Sequence, residues 1–214
     1  MKKLLFIIGG KSTGIEIREV VDQFYNEVFD EVFNVIGESE LSCNYSFIRD
    51  NEMLSYFDRN DTELYYIISI SNHKIRKKFI NEFAYKKIKP FNVIHPKSMI
   101  SKSAVLGKGI YIAHGAVISS FAKVEDHCMI NYEGLIGHDS VVEENCILNP
   151  GCKISGNVVI GNNTLIGSNS FIKQGLIVGE NVLVDAMCYI ERNIGPNKMY
   201  KSKIELKEFK NIFK

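Results

Sequence analysis

The fold is decided between residues 130 and 170, INYEGLIGHDSVVEENCILNPGCKISGNVVIGNNTLIGSNS. Stepping by six from Ile130 meets Ile136, Val142, Leu148, Ile154, Ile160 and Ile166. The same step reaches back through Val124, Ile118, Ile112, Leu106 and Ile100 to Ile94, and forward through Ile172, Val178 and Val184 to Ile190. An unbroken aliphatic series at one period is a structural repeat. Four residues after most of these positions stands a small or β-branched residue: Ala104, Ala116, Ala122, Cys128, Gly134, Ser140, Cys146, Cys152, Val158, Thr164, Ser170, Val182 and Cys188. A short strand and a turn, repeated, bring both registers inside a narrow parallel β-helix. Three hexads close a triangular coil, so eighteen residues return the chain to the same face, and Ile100 to Tyr189 makes five coils. The cysteines of this half all occupy the small register, which reads as core packing rather than metal or redox chemistry.

Residues 1–90 follow a different period. Candidate strands at Leu4 to Ile8, Val32 to Ile36 and Tyr65 to Ile70 alternate with candidate helices at Thr13 to Val28 and His73 to Lys86, with a shorter helix near Glu52 to Phe57. That alternation predicts a small parallel sheet whose ligands meet the carboxyl ends of the strands, where Gly9, Gly37 and Ser71 fall. The letters GKST at Gly10 to Thr13 imitate an NTPase phosphate loop, but the required first glycine is Leu5. A dinucleotide fingerprint also fails, because Lys11 stands where its middle glycine belongs. What remains is a strand-to-helix turn between Gly9 and Gly14, either empty or holding an anion at the helix end.

The 214 residues carry a net charge of +1 without a basic block, so a nucleic-acid partner is not expected. The apolar run after Met1 is too short for an export signal and none spans a membrane. Five cysteines without CxxC spacing then read as reduced thiols, and the expected location is cytoplasmic.

The hexad pattern resembles the left-handed β-helix of hexapeptide-repeat acyltransferases. The stretches IISISNHKIRKKFINEF (67–83), NVIHPKSMISKSAVLGKGIYIAHGAVI (92–118) and the one opened on resemble, more narrowly, the sialic-acid O-acetyltransferase-like family of sugar acetyltransferases, of the bacillosamine and perosamine N-acetyltransferase type. The resemblance implies a Rossmann-like nucleotide-sugar-binding domain over 1–90, a left-handed β-helix over 91–195 and a C-terminal tail over 196–214. It also implies acetyl-CoA as co-substrate, no metal, and a homotrimer.

His138 and Asp139 match the family's general-base pair. Independently, His138 sits two residues after Ile136 in an outward-turning register, where a neutral imidazole can take a proton during acyl transfer. Asp139 then orients the ring if the fold brings it to the other nitrogen. The resemblance assigns acetyl-CoA contacts to Ser155, Gly156, Ser168 and Ala186. The N–H of Gly156 is the candidate oxyanion donor, the alternative being an ordinary turn. The acceptor falls to Lys11, Ser12, Thr13, Gly37, Glu38, Ser71 and Asn72 in the first domain and to Asn131 on the β-helix. Two departures stand out: Ile147 replaces a second histidine nine residues after the first, and NIGPNKMYKSKIELKEF (193–209) replaces a GVPAK-like loop. His114, His127 and His138 invite comparison with a three-histidine metal site, but they begin on three different faces with no close His–His spacing; His73 and His95 read as surface residues. The expected reaction is direct N-acetylation of a nucleotide-linked, 4-amino sugar in bacterial glycan or polysaccharide biosynthesis. The alternatives are sugar O-acetylation of the sialic-acid type and a non-catalytic nucleotide-sugar-binding trimer.

Overall fold

A computed structural model describes residues 1–36, 47–57, 59, 61–86 and 88–202. The first domain runs β1 (Lys2–Ile8), α1 (Thr13–Phe24), β2 (Glu31–Ile36), β3 (Phe47–Arg49), α2 (Asp50–Leu54), β4 (Thr62–Ile68), α3 (His73–Tyr85) and β5 (Lys89–Pro90). Its five strands are parallel in the order β3-β2-β1-β4-β5. This is the Rossmann order, which reverses between β1 and β4 and opens a crevice at their carboxyl ends. The run Leu4 to Ile8 is apolar throughout because β1 is covered on both faces. Against expectation, α1 stops at Phe24 rather than Val28, and β4 runs from Thr62 to Ile68 rather than from Tyr65 to Ile70. The strands β3 and β5 had not been expected.

From Val93 the chain winds into a triangular prism of two-residue strands. Its first face holds seven strands from Val93–Ile94 to Met199–Tyr200, its second six from Met99–Ile100 to Tyr189–Ile190, and its third five from Val105–Leu106 to Ile177–Val178. As far as Tyr189–Ile190 each strand pairs in parallel with the one eighteen residues on, as Ile118 with Ile136 and Ile136 with Ile154, while the last pair, Leu183 with Met199, is sixteen apart. The aliphatic series from Ile112 to Ile190 is buried along the prism axis. The small register does more than fill space. Ser140 Oγ donates to Ser155 O, Thr164 Oγ1 to Gly179 O, Ser170 Oγ to Asp185 O and Cys128 Sγ to Glu143 O, each fifteen residues on. Serine, threonine and cysteine exchange there because each is small and carries a donor for the next coil.

A third register governs the turns. From Gly109 to Met187 every sixth residue has φ between +53° and +77°. Glycine, asparagine and aspartate, which tolerate that region, fill ten of those fourteen positions.

The first domain packs on the first face, where Val93, Tyr111, Met129 and Ile147 join Leu5, Ile17, Val21 and Ile67 in one buried cluster. Tyr25 pins the junction: its hydroxyl donates to Ile94 O at 2.9 Å and accepts from Ile94 N at 3.0 Å.

Candidate functional site

Three edges separate the faces of the prism, and the candidate residues fall on two of them. His138, Ser155 and Gly156 lie on the edge that follows the second face, stacked one coil apart. Asn131, Ser168 and Ala186 lie on the edge that follows the first face. The acetyl-CoA residues expected together are therefore divided between two edges of a single chain.

On the second edge, Asp139 occupies the left-handed turn position with φ 58°. That twist swings its carboxylate back onto the preceding ring, and Asp139 Oδ2 lies 2.7 Å from His138 Nδ1. Both side chains are about half exposed, at 55% and 51%. With Nδ1 engaged, Nε2 is the free nitrogen, and it stands over Gly156. A Cβ built on Gly156 would lie 2.4 Å from His138 Nε2. A side chain there would displace the ring above it. Among the described residues the N–H of Gly156 has no acceptor, whereas neighbouring Ser155 N–H is bonded to Ile172 O. Gly137 had not been singled out. A Cβ there would meet the Ser155–Gly156 peptide at 2.5–2.8 Å, so it lets the two coils close under the imidazole. The signal was available, since Gly107, Gly161, Gly167 and Gly179 also follow an aliphatic residue and also lie against backbone of the next coil.

A cleft of about 530 Å³ opens at the Rossmann switch point and runs down to the first face of the prism. Lys11, Ser12, Thr13, Ser71 and Asn131 line it, together with Asp50, Ser69, Met129, Ile147 and Asn149. Its upper end is shaped by strain. Gly9 has φ 104° and Ser12 φ 42°, and a Cβ on Gly14 would fall 1.7 Å from Gly9 O. Ser69 Oγ fastens the turn to β4, 2.9 Å from Ile8 O and 2.6 Å from Gly9 O. Ser12 makes no side-chain cap, and the turn closes on its own backbone instead: Gly14 N–H donates to Lys11 O at 2.8 Å, and the N–H groups of Ile15 and Glu16 donate to Ser12 O at 2.9 and 3.1 Å.

Several expectations change. Asn72 does not line this cleft: it caps α3, its Oδ1 accepting from Lys74 N at 3.0 Å and Ile75 N at 3.2 Å. It faces instead a second cleft bounded by Lys74, Lys77, Asn163 and Asn181. Gly37 and Glu38 lie outside the described residues. Ile147 is 2% exposed and belongs to the domain junction, where an aliphatic side chain packs. His114, His127 and His138 do stand on three edges, but a close histidine pair exists elsewhere: the His95 and His114 rings are 5.0 Å apart, edge to face. Burial and the neighbouring His114 lower the His95 pKa. His73 is half-buried and His127 is 6% exposed, stacked on Tyr66. Desolvation lowers both to about 4. Burial pushes the Cys152 thiol up to about 12 and that of Cys146 well up, so neither is a nucleophile. Among the described residues no group of three or more His, Cys, Asp or Glu is arranged to hold a metal, and no helix is long and apolar enough to cross a membrane.

Residues 139–174 match the family described as bacterial transferase hexapeptide (six repeats), and residues 157–192 the hexapeptide repeat of succinyl-transferase. No curated protein matches the chain. The acetyltransferase domain of PglB from Neisseria gonorrhoeae FA1090, solved with acetyl coenzyme A, is similar with TM-score 0.83 at 22% identity, over 93% of this chain and 96% of that one. PerB from Caulobacter crescentus, solved with CoA and GDP-perosamine, gives 0.83 at 20% identity over 91% and 92%. WeeI from Acinetobacter baumannii AYE gives 0.83 at 19% over 92% and 95%. The chain thus carries the bacterial transferase hexapeptide repeat, wound as a left-handed β-helix behind a Rossmann-like domain, in the fold of these proteins.

Proposed function

We propose that the protein is an acyltransferase that moves the acetyl group of acetyl-CoA onto the amino group of a nucleotide-linked sugar. The observation that carries this reading is the His138–Asp139 pair at 2.7 Å, with Nε2 free above the unclaimed N–H of Gly156 on an exposed edge. Asp139 holds the proton on Nδ1 and stabilises the imidazolium that forms. Nε2 takes the proton of the amine as its nitrogen attacks the thioester carbon; the Gly156 N–H stabilises the tetrahedral oxygen. Collapse breaks the carbon–sulfur bond, and the CoA thiolate leaves. An amine attacks a thioester readily, so positioning supplies much of the acceleration. The structural neighbours PglB and PerB, solved with acetyl coenzyme A and with CoA and GDP-perosamine, support the choice of substrates.

The acceptor nucleotide occupies the cleft at the switch point, with Lys11, Ser12, Thr13 and Ser71 around its diphosphate and Asn131 towards the sugar. The division of the site between two edges implies a homotrimer, in which the second edge of one subunit meets the first edge of the next. Ser155 and Gly156 then face Ser168 and Ala186 across a shared groove. The outward side chains of the second face favour such a partner. Met99, Phe171 and Tyr189 are exposed along it, and the rings of Phe171 and Tyr189 stack at 5.6 Å.

A steady-state assay with acetyl-CoA and a panel of nucleotide-linked amino sugars, run beside His138→Ala, tests the assignment. The expected loss is ~10²–10⁴-fold in kcat. Undiminished turnover in the variant removes the base. Transfer to sugar hydroxyls but to no amine replaces the acceptor class.

A further inference from the structure

The start of α3 reads His73-Lys74-Ile75-Arg76-Lys77-Lys78. Its lysines point into solvent, but Arg76 is completely buried. The guanidinium gives Nε to Asn145 Oδ1 at 2.6 Å and Nη1 to Ile68 O and Ile70 O at 3.0 Å each. Nη1 also meets Met129 Sδ at 2.9 Å, and Nη2 donates to His127 O. All of these partners are neutral, and among the described residues Arg76 takes part in no ion pair. A buried cation normally brings a carboxylate with it, because neutral dipoles do not return the full cost of desolvation. Burial brings its pKa down to about 10, which leaves it charged at neutral pH.

The position of that charge is specific. Ile70 and Met129, both in contact with the guanidinium, also line the cleft at the switch point. The charge stands directly behind the cleft wall, and Lys11 adds a second cation at the mouth. Asp50, on the β3–α2 side, is the one carboxylate among the described lining residues. We propose that Arg76 is a positioning residue for an anionic ligand, its missing counter-ion being the diphosphate of the nucleotide bound in this cleft. This rests on the acceptor reading above and adds the reason the diphosphate is preferred: the cavity is charged from behind, by a side chain the ligand does not touch.

Asn145→Asp tests it by placing a carboxylate of the same outline on Arg76 Nε, with loss of the bond from Asn145 Nδ2 to Asn163 Oδ1. Asn145 is buried, does not line the cleft, and has φ 59°, which aspartate also tolerates. Binding of UDP and uridine, and of GDP and guanosine, is measured by calorimetric titration on the wild type and the variant. The expected result is a folded variant whose preference for diphosphate over nucleoside falls at least tenfold. An unchanged preference, or equal weakening of both members of each pair, overturns the proposal. If Asn145→Asp does not fold, Arg76→Lys and Arg76→Met replace it: preference kept by lysine and lost by methionine supports the charge, and equal preference in both overturns it. If the wild type binds none of the four nucleosides and nucleotides, the acceptor reading fails separately, and inorganic pyrophosphate decides. Pyrophosphate held by the wild type and lost in Asn145→Asp keeps the role of Arg76; absent or equal binding ends it.

Discussion

Asp139 shows how much of the candidate site follows from one dihedral angle. Its φ of 58° is the angle of every hexad turn, and it directs the carboxylate onto the imidazole of the residue before it. An ordinary repeat position thereby becomes half of an acid–base pair. Asp139→Asn keeps the turn but not the charge that stabilises imidazolium, so kcat falls while the melting temperature stays level. Gly156→Ala tests the contact beneath the ring. The added methyl meets His138 Nε2 at 2.4 Å and tilts the ring, which is free to give way. Turnover falls at least tenfold with little change in stability. A further prediction concerns acid. His73 and His127 have folded pKa values near 4, below the unfolded value of about 6.5. Between those limits the unfolded chain binds more protons, so stability is full above about pH 6.5 and is lost as pH falls towards 4. His127→Asn makes that fall shallower, as followed by thermal melts across the range.

At the scale of the element, the turns carry a ladder of their own. Asn145 Nδ2 donates to Asn163 Oδ1 at 2.8 Å, Asn163 to Asn181 at 3.3 Å and Asn181 to Asn197 at 3.1 Å. Asn163→Ala loses these bonds and forces a Cβ without polar compensation into φ 57°. It destabilises by ~1–2 kcal/mol, and Asn163→Gly recovers ~1 kcal/mol of that in denaturant melts. The aliphatic register was legible because its side chains meet along the axis of the prism, where burial favours Ile, Leu and Val at every sixth position. The turn register was written just as plainly, in Asn157, Asn163 and Asn169, but was overlooked. The same arithmetic shows that residues 168 and 186 step back in eighteens to 150 and 132, not to 156 and 138. The two-edge division of the site was thus available from spacing alone. Other features were not. Arg76 stands in a run of lysines that reads as a solvated helix face, and only the approach of the β-helix turns it inward. The polar start of β4 at Thr62–Glu63 is held by pairing with Lys2 and Lys3, which no local pattern announces.

For the whole molecule, the first domain and the prism share a core, and neither is complete alone. Residues 91–214 made without the first domain would uncover Val93, Tyr111, Met129 and Ile147, each at most 3% exposed in the full chain. That fragment is expected to aggregate where the full chain stays dispersed, as read by light scattering. On the opposite side, Phe171→Glu with Tyr189→Lys charges the stacked pair of the second face. In the proposed assembly this lowers the sedimentation coefficient to that of a monomer and abolishes turnover, while the nucleotide cleft, contained within one chain, still binds.

The parallel ladder has one more consequence. Successive coils lie about 4.8 Å apart, the spacing of hydrogen-bonded strands. Positions along the prism are consequently quantised: the distance from His138 to any other level of the same edge is a whole number of such steps. Inserting or removing eighteen residues preserves every interior contact and lengthens or shortens the rod by one graduation. Reach along the groove is set by counting, as on a ruler, and a longer or shorter ligand is matched without redesigning a single loop.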